Sequence, residues 1–229
     1  NHMLTYLTFE VEWDFSFKEW QFVMLETEVD GKPLKRAYSL ADTLDEYQKT
    51  KTIKFYVKKV NEWWMSDFLT QKIKVWDKMK MSQAFWHMTD EWNLKDYLFI
   101  CIWTGIAAMR WLFKKAYSRW DAGKIYFLCG ERYFDNLIKE YNKDFQIDDE
   151  NIKIHFWISK EDISEEWVKD GNIQINKWHV QDWLAQAIDF FDDKNIKVFA
   201  CGKPDMIDEI VATLENGWIP KDNIKAEKY

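Results

Sequence analysis

Residues 97–117 read YLFICIWTGIAAMRWLFKKAY, an apolar run that leads into a turn and then into a helical pattern. The run from Tyr97 to Ile102 predicts a buried strand, and a helix is predicted from Ala107 to Tyr117. The Thr104-Gly105 turn between them would point backbone N–H groups and the positive end of the helix at a phosphate. A Thr-Gly turn can also simply end a strand, so the pair alone does not decide between these readings.

The alternation of strands and helices continues to the end of the chain, which favours right-handed crossovers and a parallel sheet. Cys201-Gly202 follows the last of these strands as Thr104-Gly105 follows the first. Both turns are therefore expected at the carboxyl edge of the sheet, where one ligand could touch both if the two strands are neighbours. The predicted strands are Lys124–Cys129, Lys153–Ile158 and Lys197–Cys201, and the predicted helices are Asp135–Tyr141, Val180–Phe191 and Asp205–Glu215.

The first ninety residues have a different pattern of short strands with turn chemistry between them. Asp30-Gly31 is typical of a hairpin turn, and one short helix is predicted at Ser66–Thr70, with Ser66 as its N-cap. We predict an N-terminal antiparallel β-barrel at residues 3–94, followed by a doubly wound parallel-sheet α/β domain at residues 95–229. The predicted barrel strands are Leu4–Trp13, Gln21–Val29, Ala37–Leu40, Thr52–Val60 and Ile73–Met81.

Composition narrows the function classes. A net charge of −7 and a pI near 5.3 argue against a nucleic-acid binder, and no apolar run reaches the roughly 18 residues of a membrane span. Asn-His-Met at the start is read as a cloning scar, with Met3 as the native start and no signal peptide after it. Cys101, Cys129 and Cys201 are an odd, widely spaced set, which fits neither a disulfide framework nor a metal site. A cytoplasmic protein without a metal is expected.

The Arg36-Ala37-Tyr38-Ser39 stretch joins a guanidinium, an aromatic ring and a hydroxyl within four residues. On a strand, Arg36 and Tyr38 share one face and Ser39 lies on the other. Arginine suits a pyrophosphate through its two-pronged donor geometry, and a tyrosine can lie against a flat ring. A surface strand with a core tyrosine is the alternative.

Taken in order, these pieces resemble the ferredoxin–NADP reductase family from about Phe17 to the terminus. Each motif is modest, and six of them in the family's order make the resemblance specific. They are Arg-x-Tyr-Ser at residues 36–39, Trp63-Trp64-Met65-Ser66, Thr-Gly-Ile-Ala at residues 104–107 with Met109-Arg110, Gly130-Glu131-Arg132, Ile158-Ser159-Lys160, and Cys201-Gly202-x-Pro204-x-Met206; the chain then closes on Ala226-Glu227-Lys228-Tyr229.

The resemblance implies an FAD site in the first domain. Arg36 would pair with the FAD pyrophosphate, Tyr38 would pack on the isoalloxazine ring with Ala37 beside it, and Ser39 would hydrogen-bond near N5 and O4. Further FAD contacts would come from the amides of Met65 and Ser66 at the phosphates, and from Tyr56, Val57 and Lys58 along the ribityl and adenine side.

For the second domain the resemblance implies a nicotinamide nucleotide. Thr104 and Gly105 would hold its pyrophosphate, and further contacts would come from Arg132, Gly202 and Met206. Cys201 would lie beside the nicotinamide C4, with Glu227 as a proton-relay or polarising carboxylate. Tyr229 would cover the flavin and move aside for nicotinamide. Cys201 could instead be a small core residue, and Tyr229 a frayed terminus.

Ser159 and Lys160 stand where NADP-preferring relatives hold the ribose 2′-phosphate. Glu161 and Asp162 are adjacent, and a solvated loop lysine is the alternative. The expected function is hydride transfer between NADP(H) and FAD, with NAD(H) as the alternative nucleotide and ferredoxin, flavodoxin or an oxygenase component as electron partner. The alternatives are an NADH-dependent reductase component of an oxygenase, and a folded scaffold with impaired cofactor binding.

The tryptophan content motivates that last alternative. The chain has 15 Trp and 7 Gly, whereas average usage would give roughly sixteen glycines. Our hypothesis is that the source reads UGA as glycine. Bulky rings at such positions would weaken cofactor binding, above all at Trp103 and Trp63. Trp111, Trp157 and Trp183 do not fall on family glycines. The tryptophans that do are Trp20, Trp63, Trp76, Trp86, Trp103 and Trp178.

Overall fold

The structure is a computed structural model and describes residues 4–18, 21–59, 65–85, 92–133, 145–161, 169–170, 173–177 and 183–228. The chain divides into two units, residues 1–87 and residues 88–229, and each is described by itself.

The first unit is antiparallel β structure, as predicted. One pair of strands and one group of three strands are hydrogen-bonded, in the orders β1-β4 and β3-β2-β5. Buried side chains such as Val23, Leu40 and Phe55 form its core. Asp30 and Gly31 have φ values of 52° and 73°, the geometry of a tight hairpin between β2 and β3. The strands are β1 Leu4–Glu10, β2 Phe22–Val29, β3 Lys32–Ser39, β4 Thr52–Lys58 and β5 Lys80–Met81.

One predicted strand in this unit was largely wrong, and one helix was not predicted. The alternating stretch Ile73–Met81 is a strand only at its end, because a hydrogen-bonded turn over residues 74–77 interrupts it. A helix missed by the sequence analysis, α1 (Leu44–Thr50), precedes β4. Thr43 caps α1: its side chain accepts the Glu46 N–H, and the Glu46 carboxylate accepts the Thr43 N–H.

The short predicted helix is present but begins earlier than expected. It comprises α2 (Met65–Asp67) and a wider π-helical turn, Phe68–Lys72. Ser66 therefore lies inside the helix, where its carbonyl accepts the Thr70 hydroxyl at 2.7 Å, and it is not the N-cap.

The second unit contains the predicted parallel sheet, with strand order β12-β11-β6-β7-β8-β10-β9 and only the β9–β10 pair antiparallel. Strands β6 and β7 are buried along their full length, as their continuous apolar sequences predict. The strands are β6 Tyr97–Ile102, β7 Ile125–Glu131, β8 Ile152–Ile158, β9 Lys169–Asp170, β10 Ile173–Lys177, β11 Lys197–Gly202 and β12 Ile224–Lys228. Strands β9 and β10 were not predicted, and the fold class is confirmed.

Three described helices accompany this sheet: α3 (Ile106–Tyr117), α4 (Leu184–Asp189) and α5 (Pro204–Asn216). The predicted helix Asp135–Tyr141 lies outside the described residues. Phe99, fully buried at the centre of β6, stacks between Tyr97 and Phe199 at 6.0 and 5.7 Å. Among the helices of the described residues, none has the length and apolarity that crossing a membrane requires.

Candidate functional site

The carboxyl edge of the parallel sheet brings the predicted nucleotide-binding residues of the second unit onto four adjacent strands. β6 pairs in parallel with β11 on one side and with β7 on the other, and β7 pairs with β8. The turn at residues 103–105 therefore lies beside the Gly202 end of β11, which is the neighbour relation that a shared ligand requires. Parallel sheets bind ligands at this edge.

Trp103 occupies the turn between β6 and α3. Its backbone has φ 53°, in the left-handed region. Its ring lies under two cations, with the Arg132 guanidinium carbon 5.0 Å and the Lys203 Nζ 4.6 Å from the ring centre. Arg132 was predicted as a cofactor contact. Lys203 was missed, although a lysine directly after a Gly at a strand end is a recognisable signal for an anion site.

Arg132, Ser159 and Lys160 are brought together at the ends of β7 and β8. The Ser159 N–H donates to the Glu131 carbonyl at 3.0 Å, and the Lys160 N–H donates to the Arg132 carbonyl at 2.9 Å. Lys160 is exposed and Ser159 is half-buried, so the lysine can meet a ligand in solvent. Two cations thus follow these two neighbouring strands.

Cys201 and Glu227 are register partners on β11 and β12. Burial raises the pKa of the Cys201 thiol, and the nearby Glu227 carboxylate raises it further. The thiol is therefore held in its neutral form beside a carboxylate. The side-by-side position of these two residues, 26 apart in sequence, comes from strand pairing alone.

The three cysteines form a row across neighbouring strands, which the sequence analysis did not foresee. Cys201 pairs in register with Cys101, and Cys101 pairs with Cys129. All three are buried and none is in a disulfide. Burial raises the pKa of Cys101, and the adjacent Cys129 adds to the shift.

Gly202 allows the β11 end to pack closely. A Cβ at this position would collide with the Met206 methyl group and lie 3.1 Å from Ile102 Cγ1. Met206, in the first turn of α5, therefore packs on the backbone of the turn rather than projecting away from it. A side chain at residue 202 would displace the Met206 methyl group and press on the Ile102 side chain.

In the first unit, the Arg36–Ser39 stretch lies on β3, as predicted, and pairs with β2. Tyr38 is half-buried and packs edge-on against Phe55 at 6.2 Å. Burial raises the pKa of Tyr38, and the Arg36 charge partly opposes the shift. Arg36 and Ala37 remain exposed.

The remaining predicted FAD contacts lie on β4 and α2. Tyr56, Val57 and Lys58 are buried at the end of β4, and Met65 and Ser66 are buried in α2. An ion pair joins the two elements, with Asp67 2.8 Å from the Lys59 Nζ. This hydrogen bond lowers the pKa of Asp67.

Several predicted residues lie outside the described part of the chain. They are Tyr229, Trp20, Trp63, Trp64, Trp86, Asp162 and Trp178.

Comparison with known proteins finds a family model that matches the second half of the chain. Residues 99–212 match the family model described as "Oxidoreductase NAD-binding domain". No curated protein matches the chain at the level of sequence.

Solved structures match the whole chain in fold. A ferredoxin–NADP+ reductase from Neisseria gonorrhoeae, solved with FAD and NADP bound, is 16% identical to this chain. The match covers 98% of this chain and 92% of that one, with a TM-score of 0.75. The Plasmodium falciparum ferredoxin–NADP+ reductase with 2′P-AMP is 17% identical in the H286L mutant, with coverages of 99% and 89% and a TM-score of 0.68.

A longer protein also matches. The ferredoxin reductase in carbazole 1,9a-dioxygenase is 19% identical with a TM-score of 0.72, and 98% of this chain covers only 64% of it. The resemblance predicted from the sequence motifs is confirmed. Residues 99–212 are similar to oxidoreductase NAD-binding domains, and the chain has the two-domain fold that ferredoxin–NADP+ reductases have.

Proposed function

We propose that this chain transfers a hydride between NADP(H) and FAD and passes electrons to a ferredoxin- or flavodoxin-like partner or to an oxygenase component. Residues 3–94 would bind FAD and residues 95–229 would bind NADP(H). The observation that carries the proposal is the row of groups at one sheet edge: Cys201 beside Glu227, the Thr104-Gly105 turn on the next strand, and cations beyond it.

The donor set at this edge fits an anionic nucleotide. Arg132, Lys160 and Lys203 supply positive charge, and the twelve-residue helix α3 begins directly after the turn. The ring of Trp103 is the one group among them that does not suit a phosphate. Phosphate oxygens carry negative charge, as does the face of an indole.

When bound, the nicotinamide supplies the hydride that reduces the flavin. The chain's own residues would orient it. Cys201, neutral because burial raises the pKa of its thiol, would contact the reacting ring without adding charge. Glu227, its register partner, would hold or polarise a proton at that edge. Tyr229, the last residue, would shield the flavin until nicotinamide displaces it.

In the first unit, the exposed guanidinium of Arg36 suits the FAD pyrophosphate, and the half-buried ring of Tyr38 suits the flavin. Ala37 and Ser39 would complete this strand's contact, with Ser39 near N5 and O4. Tyr56, Val57, Lys58, Met65 and Ser66 would hold the rest of the cofactor.

The test compares Arg36→Ala with Lys35→Ala, a matched loss of one exposed cation on the same strand. Arg36→Ala should reduce FAD retention after gel filtration by about tenfold or more, because a charge-assisted contact is worth about 1.5–3 kcal/mol. Lys35→Ala should retain flavin as the parent does. Equal retention in both variants would overturn the FAD assignment.

A second candidate is an NADH-dependent reductase component of an oxygenase. Glu161, directly after Lys160, favours it because a carboxylate would repel a 2′-phosphate. The ratio of kcat/KM for NADPH and NADH separates the two, and a clear NADH preference would favour the second. The scaffold alternative predicts a colourless protein that neither NADPH nor NADH reduces.

A further inference from the structure

The described tryptophans fall into two groups by backbone conformation. Six non-glycine residues among the described ones have positive φ, and four of them are tryptophans. A positive φ is uncommon outside glycine and is an outlier for a bulky residue. Trp111 and Trp157, in contrast, are buried in a helix and a strand. The four are Trp76 at 78°, Trp92 at 53°, Trp103 at 53° and Trp218 at 66°.

Trp218 ends α5 in the hydrogen-bond pattern of a Schellman motif. The Ile219 N–H donates to the Leu214 carbonyl at 3.1 Å, and the Trp218 N–H donates to the Glu215 carbonyl at 3.1 Å. Ile219 and Leu214 are both buried, which supplies the hydrophobic contact of this motif. Its left-handed residue is usually glycine. The Trp218 side chain is 85% exposed, so packing does not explain its presence.

Trp76 is the third residue of the turn Lys74–Asp77. The Asp77 N–H donates to the Lys74 carbonyl at 3.1 Å, and φ at Trp76 is 78°. These are the features of a type II turn, which calls for glycine at its third residue. The ring of Trp76 is 89% exposed.

Trp103 has the same backbone conformation at the carboxyl edge of the sheet. Its ring fills the space beside the Arg132 guanidinium and the Lys203 ammonium. Trp92 differs from these three because its ring stacks on Phe199 at 6.0 Å and packs at a tilt against Tyr97 at 5.4 Å. Its side chain has packing partners that a glycine would lose.

We propose that positions 76, 103 and 218 are glycine positions, occupied by glycine in the polypeptide that the source cell makes. At position 103, glycine would leave the two cations open to the phosphates of a nucleotide. The expected gain in nucleotide binding at position 103 rests on the proposed function. The preference for glycine at all three positions follows from their backbone conformation and does not depend on that function.

The gene supplies the first test. If these positions are decoded as glycine from UGA, their three codons are UGA, whereas the codons of the buried Trp111 and Trp157 are UGG. UGG codons at 76, 103 and 218 would overturn the proposal.

Paired variants of the full chain supply the second test, because a Gly and an Ala variant remove the same ring. At positions 76, 103 and 218, the Gly variant should melt about 2–4 °C above the Ala variant, since only glycine adopts positive φ without strain. Trp120 is the control: it is 98% exposed, and its φ is not positive. Trp120→Gly should have no such advantage over Trp120→Ala. Ala variants as stable as the Gly variants at 76 and 218 would overturn the proposal.

NADP+ binding, measured by calorimetry, supplies the third test. Trp103→Gly should bind NADP+ at least tenfold more tightly than the parent, and Trp218→Gly should bind as the parent does. If the parent binds and Trp103→Gly shows no gain, the inference at position 103 is wrong and the proposed function stands. If neither binds, the nucleotide assignment fails, and the melting data still decide the glycine positions.

Discussion

The two units position their candidate cofactor residues in different ways. In the second unit, Thr104, Arg132, Ser159 and Cys201 follow or end four neighbouring strands that are almost entirely buried. In the first unit, the Arg36–Ser39 stretch lies on β3, a mostly exposed strand, and the other candidates are on β4 and α2. The candidate nucleotide site of the second unit depends on the strand register of a single sheet. The candidate FAD site of the first unit depends on how separate elements pack.

This difference indicates where each site is sensitive to substitution. A core residue beneath the parallel sheet supports every group on its carboxyl edge at once. A core residue in the first unit supports the elements that pack on it, as Phe55 supports Tyr38.

The largest expected effect comes from Phe99→Ala, which removes a fully buried ring from the middle of β6. It should lower the free energy of unfolding by about 3–5 kcal/mol, because it opens a cavity under the sheet edge. Urea denaturation measures the loss, and NADP+ binding should weaken with it. Val75→Ala, at a side chain 83% exposed, should change stability by less than about 0.5 kcal/mol. Equal losses of unfolding free energy in the two variants would show that the buried Phe99 ring contributes no more to stability than an exposed side chain.

The second-largest expected effect is a change in nucleotide preference at the carboxyl edge of the parallel sheet. Lys160→Ala should lower the preference for NADPH over NADH by about tenfold, because one charge-assisted phosphate contact is lost. Lys153→Ala is the matched control, since Lys153 lies near the start of β8 and thus at the opposite edge. The ratio of kcat/KM values for the two nucleotides measures both variants. A preference unchanged by Lys160→Ala would contradict the placement of the 2′-phosphate.

A smaller effect comes from a buried polar pair inside the second unit. The His155 Nδ1 lies 3.1 Å from the Tyr126 hydroxyl, and burial lowers the pKa of His155 to about 4. Between pH 6.5 and pH 4 the unfolded chain therefore binds more protons than the folded one. The contribution of neutral His155 to the free energy of unfolding is complete above pH 6.5. It falls by at most about 1.4 kcal/mol per pH unit as the pH drops below that value.

His155→Gln should flatten this dependence, because glutamine does not titrate. Urea denaturation at a series of pH values measures the slope for the parent and the variant. Identical slopes would show that His155 binds its proton at the same pH in the folded and unfolded states.

The smallest expected effect tests the cap of α1 in the first unit. Thr43→Ala should cost about 1 kcal/mol of stability, because the side chain no longer accepts the Glu46 N–H. Thr43→Ser keeps the hydroxyl and should cost much less. Thermal unfolding of the two variants checks this, and equal melting temperatures would show that the cap contributes nothing.

The parallel-sheet half was predictable because continuous apolar runs between turns and helices identify buried strands. The turns at Thr104-Gly105 and Cys201-Gly202 could be placed at one edge for the same reason. The first unit was harder. The Thr43-x-x-Glu46 capping box is a signal in the sequence for the start of α1, and the alternation over 73–81 concealed a turn at Trp76.

Other features could not be derived from one sequence. The pairing of Cys201 with Glu227 is set by which strands become neighbours, and a linear pattern does not specify that. The backbone conformation of Trp218 is likewise invisible in a residue type that almost never adopts it.

The buried cysteine row allows opening of the parallel sheet to be followed by thiol alkylation. Thiolates, not thiols, react with alkylating reagents, and the row is buried with the pKa values of Cys101 and Cys201 raised. The sulfurs of Cys101 and Cys129, which are the most deeply buried, should therefore be unreactive while strands β11, β6 and β7 remain paired. Once these strands separate, both become available together. The rate at which a reagent adds to the native protein thus reports how often the centre of the parallel sheet opens.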